Sequence, residues 1–195
     1  MRDHWKTVDG WAAFELLYRQ MVDQTKGPAL FVEVGSWLGK SACLMAELIK
    51  ESEKAIKFEC VDPWIDGGPD LNMTEHFKAL QGRSVYETFL RNCEPFSDII
   101  KPIRKFSVDA ALEHADESVD FLMLDGDHSY EAVRDDIDVW LPKMKPYGVI
   151  SGDDYTWPGV KQAVDETFLK RAQITYRKRD PRNYKLEASY WVVQL

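Results

Sequence analysis

Cysteine is scarce in these 195 residues: Cys43, Cys60 and Cys93 stand far apart and form no Cys-x-x-Cys pair. That spacing excludes a disulfide framework and a zinc ribbon, so the three read as buried thiols in a reducing compartment. No apolar run approaches membrane-spanning length, and Met1-Arg2-Asp3-His4-Trp5-Lys6 leads into no signal-peptide core, so the expected location is cytoplasmic. Positive charge is in deficit, with 25 Lys and Arg against 33 Asp and Glu and a formal net charge of -8. Such a balance disfavours nucleic acid and acidic membranes as partners. One patch departs from it: Lys170, Arg171, Arg177, Lys178, Arg179, Arg182 and Lys185 cluster near the C-terminus, a run expected to form a solvated face. Repeats and low-complexity segments are absent, and the length suits one domain, 1–195, with room for a sizeable core.

Two phosphate-binding signatures are approached and missed. Glu33-Val34-Gly35-Ser36-Trp37-Leu38-Gly39-Lys40-Ser41 joins an apolar strand, Ala29 to Val34, to a helix through Leu44, Met45, Leu48 and Ile49. A P-loop needs four residues between its first glycine and the Gly-Lys-Ser, where this chain has only Ser36, Trp37 and Leu38. The dinucleotide fingerprint needs glycines where Trp37 and Lys40 stand, which disfavours nicotinamide and flavin cofactors. What remains is a glycine turn that lets backbone approach a ligand, with helix amides that favour its negative groups. A second strand, Lys57 to Val61, ends in Asp62, about 20 residues beyond the turn, where an acid meets ribose hydroxyls. Asp62 reads equally as a strand-end cap beside Pro63. An adenosine-containing ligand without a pyrophosphate satisfies both the turn and Asp62.

The chain is organised around Val119 to Tyr155. An apolar strand, Val119 to Leu124, breaks into Asp125-Gly126-Asp127-His128; a helix from Tyr130 to Leu141 follows, bounded by Pro142 and Pro146; and Val149-Ile150-Ser151-Gly152 ends at Asp153-Asp154-Tyr155. If the two strands are parallel neighbours joined by a right-handed crossover, Asp125 and Asp127 lie beside Asp153 and Asp154. Four carboxylates so placed either hold protons or attract a divalent cation, and oxygen donors suit Mg2+, Mn2+ or Ca2+ better than Zn2+. Turn and helix-cap roles for the same aspartates stand beside this on even terms.

The rest reads as support. Gly10 to Gln24 carries Trp11, Phe14, Leu17, Tyr18 and Met21 on one helical face, within an N-terminal segment 1–28. Trp64 to Ser84, with Gly67-Gly68-Pro69, is an irregular insertion assigned to the substrate side as a lid or binding loop. Val85 to Asn92 and Ser107 to His114 are helical, Ile99 to Phe106 is an edge strand, and Trp157-Pro158-Gly159 opens another helix. Ile174 to Arg177 and Ser189 to Val193 have no helix between them and should pair antiparallel through the Asp180-Pro181 loop. The fold expected is α/β: a mainly parallel, doubly wound sheet closed by an antiparallel C-terminal hairpin.

With these residues in view the chain resembles the class I S-adenosylmethionine-dependent methyltransferases, nearest the small-molecule and sugar O-methyltransferase branch that includes the macrocin O-methyltransferases. The turn Glu33 to Ser41 resembles that branch's cofactor loop, Asp62 its ribose-binding acid, and Leu124-Asp125-Gly126-Asp127-His128-Ser129-Tyr130-Glu131 with Gly152-Asp153-Asp154-Tyr155 its catalytic motifs. The resemblance implies a seven-stranded Rossmann-like sheet with its last strand antiparallel, and S-adenosyl-L-methionine as cofactor. It places Gly35 and Gly39 against the methionine part, Glu33, Ser36 and Ser41 near its polar groups, Asp62 on the ribose and Ser107 near adenine. Asp125, also beside the cofactor, joins Asp153 and Asp154 as ligands of a divalent metal, with Asp127 as general base. The chain departs from the branch at His128, where an apolar or aromatic residue is usual. Because imidazole accepts a proton near neutral pH, the base is either Asp127 or His128.

The activity expected is transfer of a methyl group to a hydroxyl of a small molecule, such as a sugar or natural product, with a divalent metal assisting and homo-oligomer formation left open. A metal-independent methyltransferase with His128 as base, and a cofactor-binding protein without turnover, are the competing expectations.

Overall fold

In a computed structural model, residues 3–66, 80, 82–169, 171–178 and 187–195 are described. Five strands, β1 (Ala29–Val34), β2 (Ile56–Val61), β3 (Ile100–Ile103), β4 (Val119–Leu124) and β5 (Met144–Gly152), run parallel. The last two, β6 (Gln173–Lys178) and β7 (Glu187–Gln194), pair antiparallel with each other, and β7 lies antiparallel to β5. The spatial order β3-β2-β1-β4-β5-β7-β6 makes the chain reverse direction at β1, so the crevice above β1 and β4 is the switch point where such sheets bind ligands.

Alternating side chains explain why both faces are covered. Phe31 and Glu33 of β1 point to one face, Val32 and Val34 to the other. On the first face Phe31, Phe58, Phe121 and Met123 pack against α1 (Glu15–Gln24), α2 (Lys40–Ser52) and α3 (Val85–Cys93). On the second, Leu122, Ile150 and Trp191 meet α4 (Ser107–Ala111), α5 (Tyr130–Trp140) and α6 (Pro158–Phe168). Helix α2 is buried all round from Ser41 to Ile49, because α1 and a 3-10 turn at His4–Thr7 cover its outer side.

Three sequence expectations shift. The N-terminal helix starts at Glu15, not Gly10: Gly10 has φ of 120° and lies against the Trp37 ring. Trp11 therefore leaves the core, 41% exposed, and stacks on Trp37 with centroids 5.2 Å apart. Strand β5 begins at Met144 rather than Val149, since the register slips between Val119–Met144 and Phe121–Val149, and Pro146 sits in the bulge where its missing N–H breaks no ladder bond. The helix after β3 stops at Ala111, short of His114. Most of the Trp64 to Ser84 insertion, the Asp180-Pro181 loop, and Lys170, Arg179, Arg182 and Lys185 of the basic patch lie outside the described residues. No helix among the described residues is long and apolar enough to cross a membrane.

Candidate functional site

The site starts from a strand pairing. Val34 is level with Leu124, and Leu124 with Gly152, so β1, β4 and β5 end together. Beyond them the backbone stays tied: Asp125 N–H donates to Val34 O at 2.9 Å, and Asp153 N–H to Leu124 O at 3.0 Å. Gly35 has φ of 86°, and a Cβ there would stand 2.0 Å from the carbonyl oxygen of Asp125. The glycine turn and the acidic turn are therefore in direct backbone contact, and only glycine fits between them. Gly39 has φ of 89° and opens α2; a Cβ there would meet Cys93 Sγ at 2.6 Å.

Beneath the turn lies a buried polar cluster. Glu33 is 1% exposed and its Oε2 accepts a hydrogen bond from Tyr18 Oη at 2.5 Å. Burial pushes its carboxyl up to about 7, with the Tyr18, Ser36 and Ser41 hydroxyls and the nearby Asp125 charge as smaller influences. Among the described residues, Glu33 Oε1 and Ser36 Oγ complete no hydrogen bond. Asp62 serves as the strand-end cap: Oδ2 accepts from Trp37 N–H at 2.9 Å and Oδ1 from Trp64 N–H at 2.6 Å. Burial raises its pKa against those two amides. Each carboxylate oxygen keeps a lone pair, so capping does not preclude a sugar hydroxyl. Trp64, absent from the sequence-derived set, donates Nε1–H to Trp37 O at 2.8 Å and holds the turn from above.

At the ends of β4 and β5, Asp125, His128 and Asp154 bring ligand atoms within 4.8 Å of one another. His128 Nε2 stands 3.2 Å from Asp154 Oδ2 and 3.7 Å from Asp125 Oδ1. Burial disfavours charging this ring, but the two carboxylates outweigh it and lift its pKa to about 10. The expected Asp125 and Asp154 are thus brought together, and the third member of the group is His128, not Asp153. Asp153 is 5% exposed and lines a small, partly open cavity of about 10 Å3 together with His128, Asp136, Val160 and Trp191. Asp127 is exposed and accepts the Ser129 N–H at 2.7 Å, which lowers its pKa. It is held as a turn residue ahead of α5, whose N-cap is Ser129. Ser107, expected near adenine, accepts Trp140 Nε1–H at 2.9 Å and lies beside Asp136, whose burial raises its pKa to about 6.

Sequence reasoning missed Tyr18, Trp64 and Trp157. The Trp157 ring lies 4.9 Å from His128 and is 48% exposed. Behind it, a Cβ on Gly159 would stand 2.6 Å from His128 O, so α6 presses the acidic turn into place. Tyr18 sat in an apolar helical stripe, and only the folded chain reveals its hydroxyl's partner.

Residues 32–155 match a family described as a methyltransferase domain. A protein of Sinorhizobium fredii, "Uncharacterized protein y4gI", is 25% identical over 123 residues, 63% of this chain and 13% of that protein, so the chain spans about 13% of the length of this curated relative. Among solved structures, the O-methyltransferase NovP superposes with a TM-score of 0.63 at 20% identity, covering 93% of this chain and 79% of that one. An O-methyltransferase from Bacillus cereus in complex with SAH gives 0.61 at 14% identity over 93% and 79%. A structure described as precorrin 8w decarboxylase, from Methanobacterium thermoautotrophicum, gives 0.60 at 15% over 97% and 95%. These likenesses concern the fold.

Proposed function

The chain belongs to the class I S-adenosylmethionine-dependent methyltransferases, and from that membership we propose that it methylates a hydroxyl of a small molecule held above the paired ends of β4 and β5. The observation that carries the proposal is the backbone contact between Gly35 and Asp125, which sets the glycine turn and the acidic turn side by side. The residues fit the cofactor. Glu33 Oε1 and Ser36 Oγ, buried without partners, await donors and acceptors of the kind an amino acid moiety carries, with Ser41, Gly35 and Gly39 completing that wall and Asp62 facing the ribose. S-Adenosylmethionine supplies a methyl carbon on a positively charged sulfur, open to displacement by an oxygen lone pair.

A divalent metal also fits. Two carboxylates and an imidazole form a mixed oxygen and nitrogen donor set, which moves the preference from Mg2+ and Ca2+ toward Mn2+. Such an ion, held by Asp125, Asp154 and His128, would lower the pKa of an acceptor hydroxyl. Asp127 is the better placed proton acceptor: its carboxyl is ionised at neutral pH, whereas His128 Nε2 would be taken up by the ion as a neutral ligand or, with no ion bound, by the two carboxylates as an imidazolium. Trp157 forms an aromatic wall on the solvent side of His128.

The test is direct. Asp154→Ala should cut metal-dependent turnover by about two orders of magnitude or more, as several kcal/mol of lost stabilisation implies, while S-adenosylhomocysteine still binds. Full activity of the unmodified protein in excess chelator would remove the metal from the proposal. His128 lies within 3.2 Å of Asp154 and 3.7 Å of Asp125, and this favours a second, metal-free reading in which an imidazolium there offsets one of the two carboxylate charges in the cation's place.

A further inference from the structure

Tyr18 lies outside the matched region 32–155, on a helix with no motif, yet its hydroxyl is the group that fixes Glu33. Its ring is fully buried, tilted on Phe14 with centroids 4.8 Å apart and edge-on to Phe121 at 5.8 Å, so the hydroxyl has little freedom. The hydroxyl occupies one carboxylate oxygen, Oε2, at 2.5 Å. The other, Oε1, is buried and completes no hydrogen bond among the described residues, as is true of Ser36 Oγ beside it. A buried carboxyl with one oxygen pinned and the other unsatisfied is costly unless a donor arrives, and a charged donor compensates most. Among the described residues, the groups that act most strongly on Glu33 are Tyr18 from α1, Ser36 and Ser41 from the turn and α2, Cys60 from β2 and Asp125 beyond β4, and none of these is a cation. Lys40, the cation of the glycine turn itself, donates instead to Val8 O at 2.9 Å.

We propose that Tyr18 is a positioning residue for the cofactor: by holding Oε2 of Glu33 it turns Oε1 toward the ammonium group of the amino acid moiety. This rests on the cofactor assignment above and extends it to a helix that assignment does not cover. The N-terminal helix thus contributes to recognition of the methionine end, not only to covering α2. Tyr18→Phe keeps the ring and its packing and removes only the hydroxyl, so Glu33 is left to rotate or to stay protonated.

Two ligands separate this role from a structural one. S-Adenosylhomocysteine carries the amino acid moiety, and 5′-methylthioadenosine keeps the nucleoside and thioether without it. Calorimetric titration should show Tyr18→Phe binding S-adenosylhomocysteine about tenfold more weakly, the loss of one hydrogen bond to a charged group, with methylthioadenosine affinity unchanged. Glu33→Gln should show the same selective loss, and Tyr18→Phe on that background should add little. Equal weakening of both ligands, or no change in either, would overturn the positioning role. If the unmodified protein binds neither ligand, the cofactor assignment itself fails and takes this inference with it. A melting curve for Tyr18→Phe, expected within a few degrees of the parent, guards against loss of fold.

Discussion

At the scale of single residues, the site depends on atoms that are missing. Gly35 combines a φ of 86° with a carbonyl oxygen 2.0 Å from where a Cβ would stand, and that oxygen belongs to Asp125. Neither a rotamer change nor a side-chain shift relieves a clash with backbone. Gly35→Ala should therefore lower the unfolding free energy by about 3 kcal/mol or more, measured by denaturant titration. A change below about 1 kcal/mol would mean that the two turns are not in contact. The same residue shows why the sequence could identify the turn but not its reason. A glycine between strand and helix was expected to admit a ligand, and the structure shows it first admitting the neighbouring turn. Asp62 gives the complementary case: ribose acid and strand-end cap stood level in the sequence, and the cap is what the folded backbone uses, with lone pairs to spare.

At the scale of elements, the sheet edge is fastened by charge. Glu59 of β2 accepts from His114, just beyond α4, at 2.9 Å, and from Lys101 of β3 at 2.9 Å. The His114 hydrogen bond leads in holding the Glu59 carboxyl down to about 2 from its ordinary 4.5, and the Glu59 partner likewise raises the His114 ring above 6.5. The Glu59 contribution is present above pH 4.5 and lost as pH falls toward 2. The His114 contribution is complete below pH 6.5 and lost as pH rises through its raised value. Glu59→Gln should therefore lose most stability, about 1–2 kcal/mol for a partly exposed pair, between pH 4.5 and 6.5, with the gap to the parent closing on either side. A gap independent of pH would show that the pair is not titrating as described. Neither partner was marked in the sequence, since Glu59 and His114 are 55 positions apart.

At the scale of the whole molecule, the segment shared with the family is less than the folding unit. Residues 32–155 contain β2 to β5 and half of β1, but not α1, α6, β6 or β7. Without β7, strand β5 becomes an open edge and Trp191, 1% exposed under Gly152, leaves the core. Without α1, the buried face of α2 loses Phe14, Tyr18 and Met21. A protein comprising 32–155 alone should show no cooperative thermal transition, whereas the full chain should melt in one step. Cooperative folding of the fragment would show that the flanking elements are accessory.

The sequence by itself determined the alternation of strand and helix, the antiparallel tail, the glycine turn, and the placing of acids at the ends of β4 and β5. Each follows from local rules, periodicity and turn chemistry, that act over a few residues. Only the tertiary structure decided which acids meet. Neighbouring Asp153 and Asp154 part company because Asp154 takes a left-handed φ of 51°, leaving Asp153 buried and Asp154 beside His128. It also decided that Tyr18 reaches Glu33 and that Trp11 leaves the core for Trp37. These outcomes depend on packing between elements distant in the chain, and no spacing along the chain records which face of one will meet which atom of another.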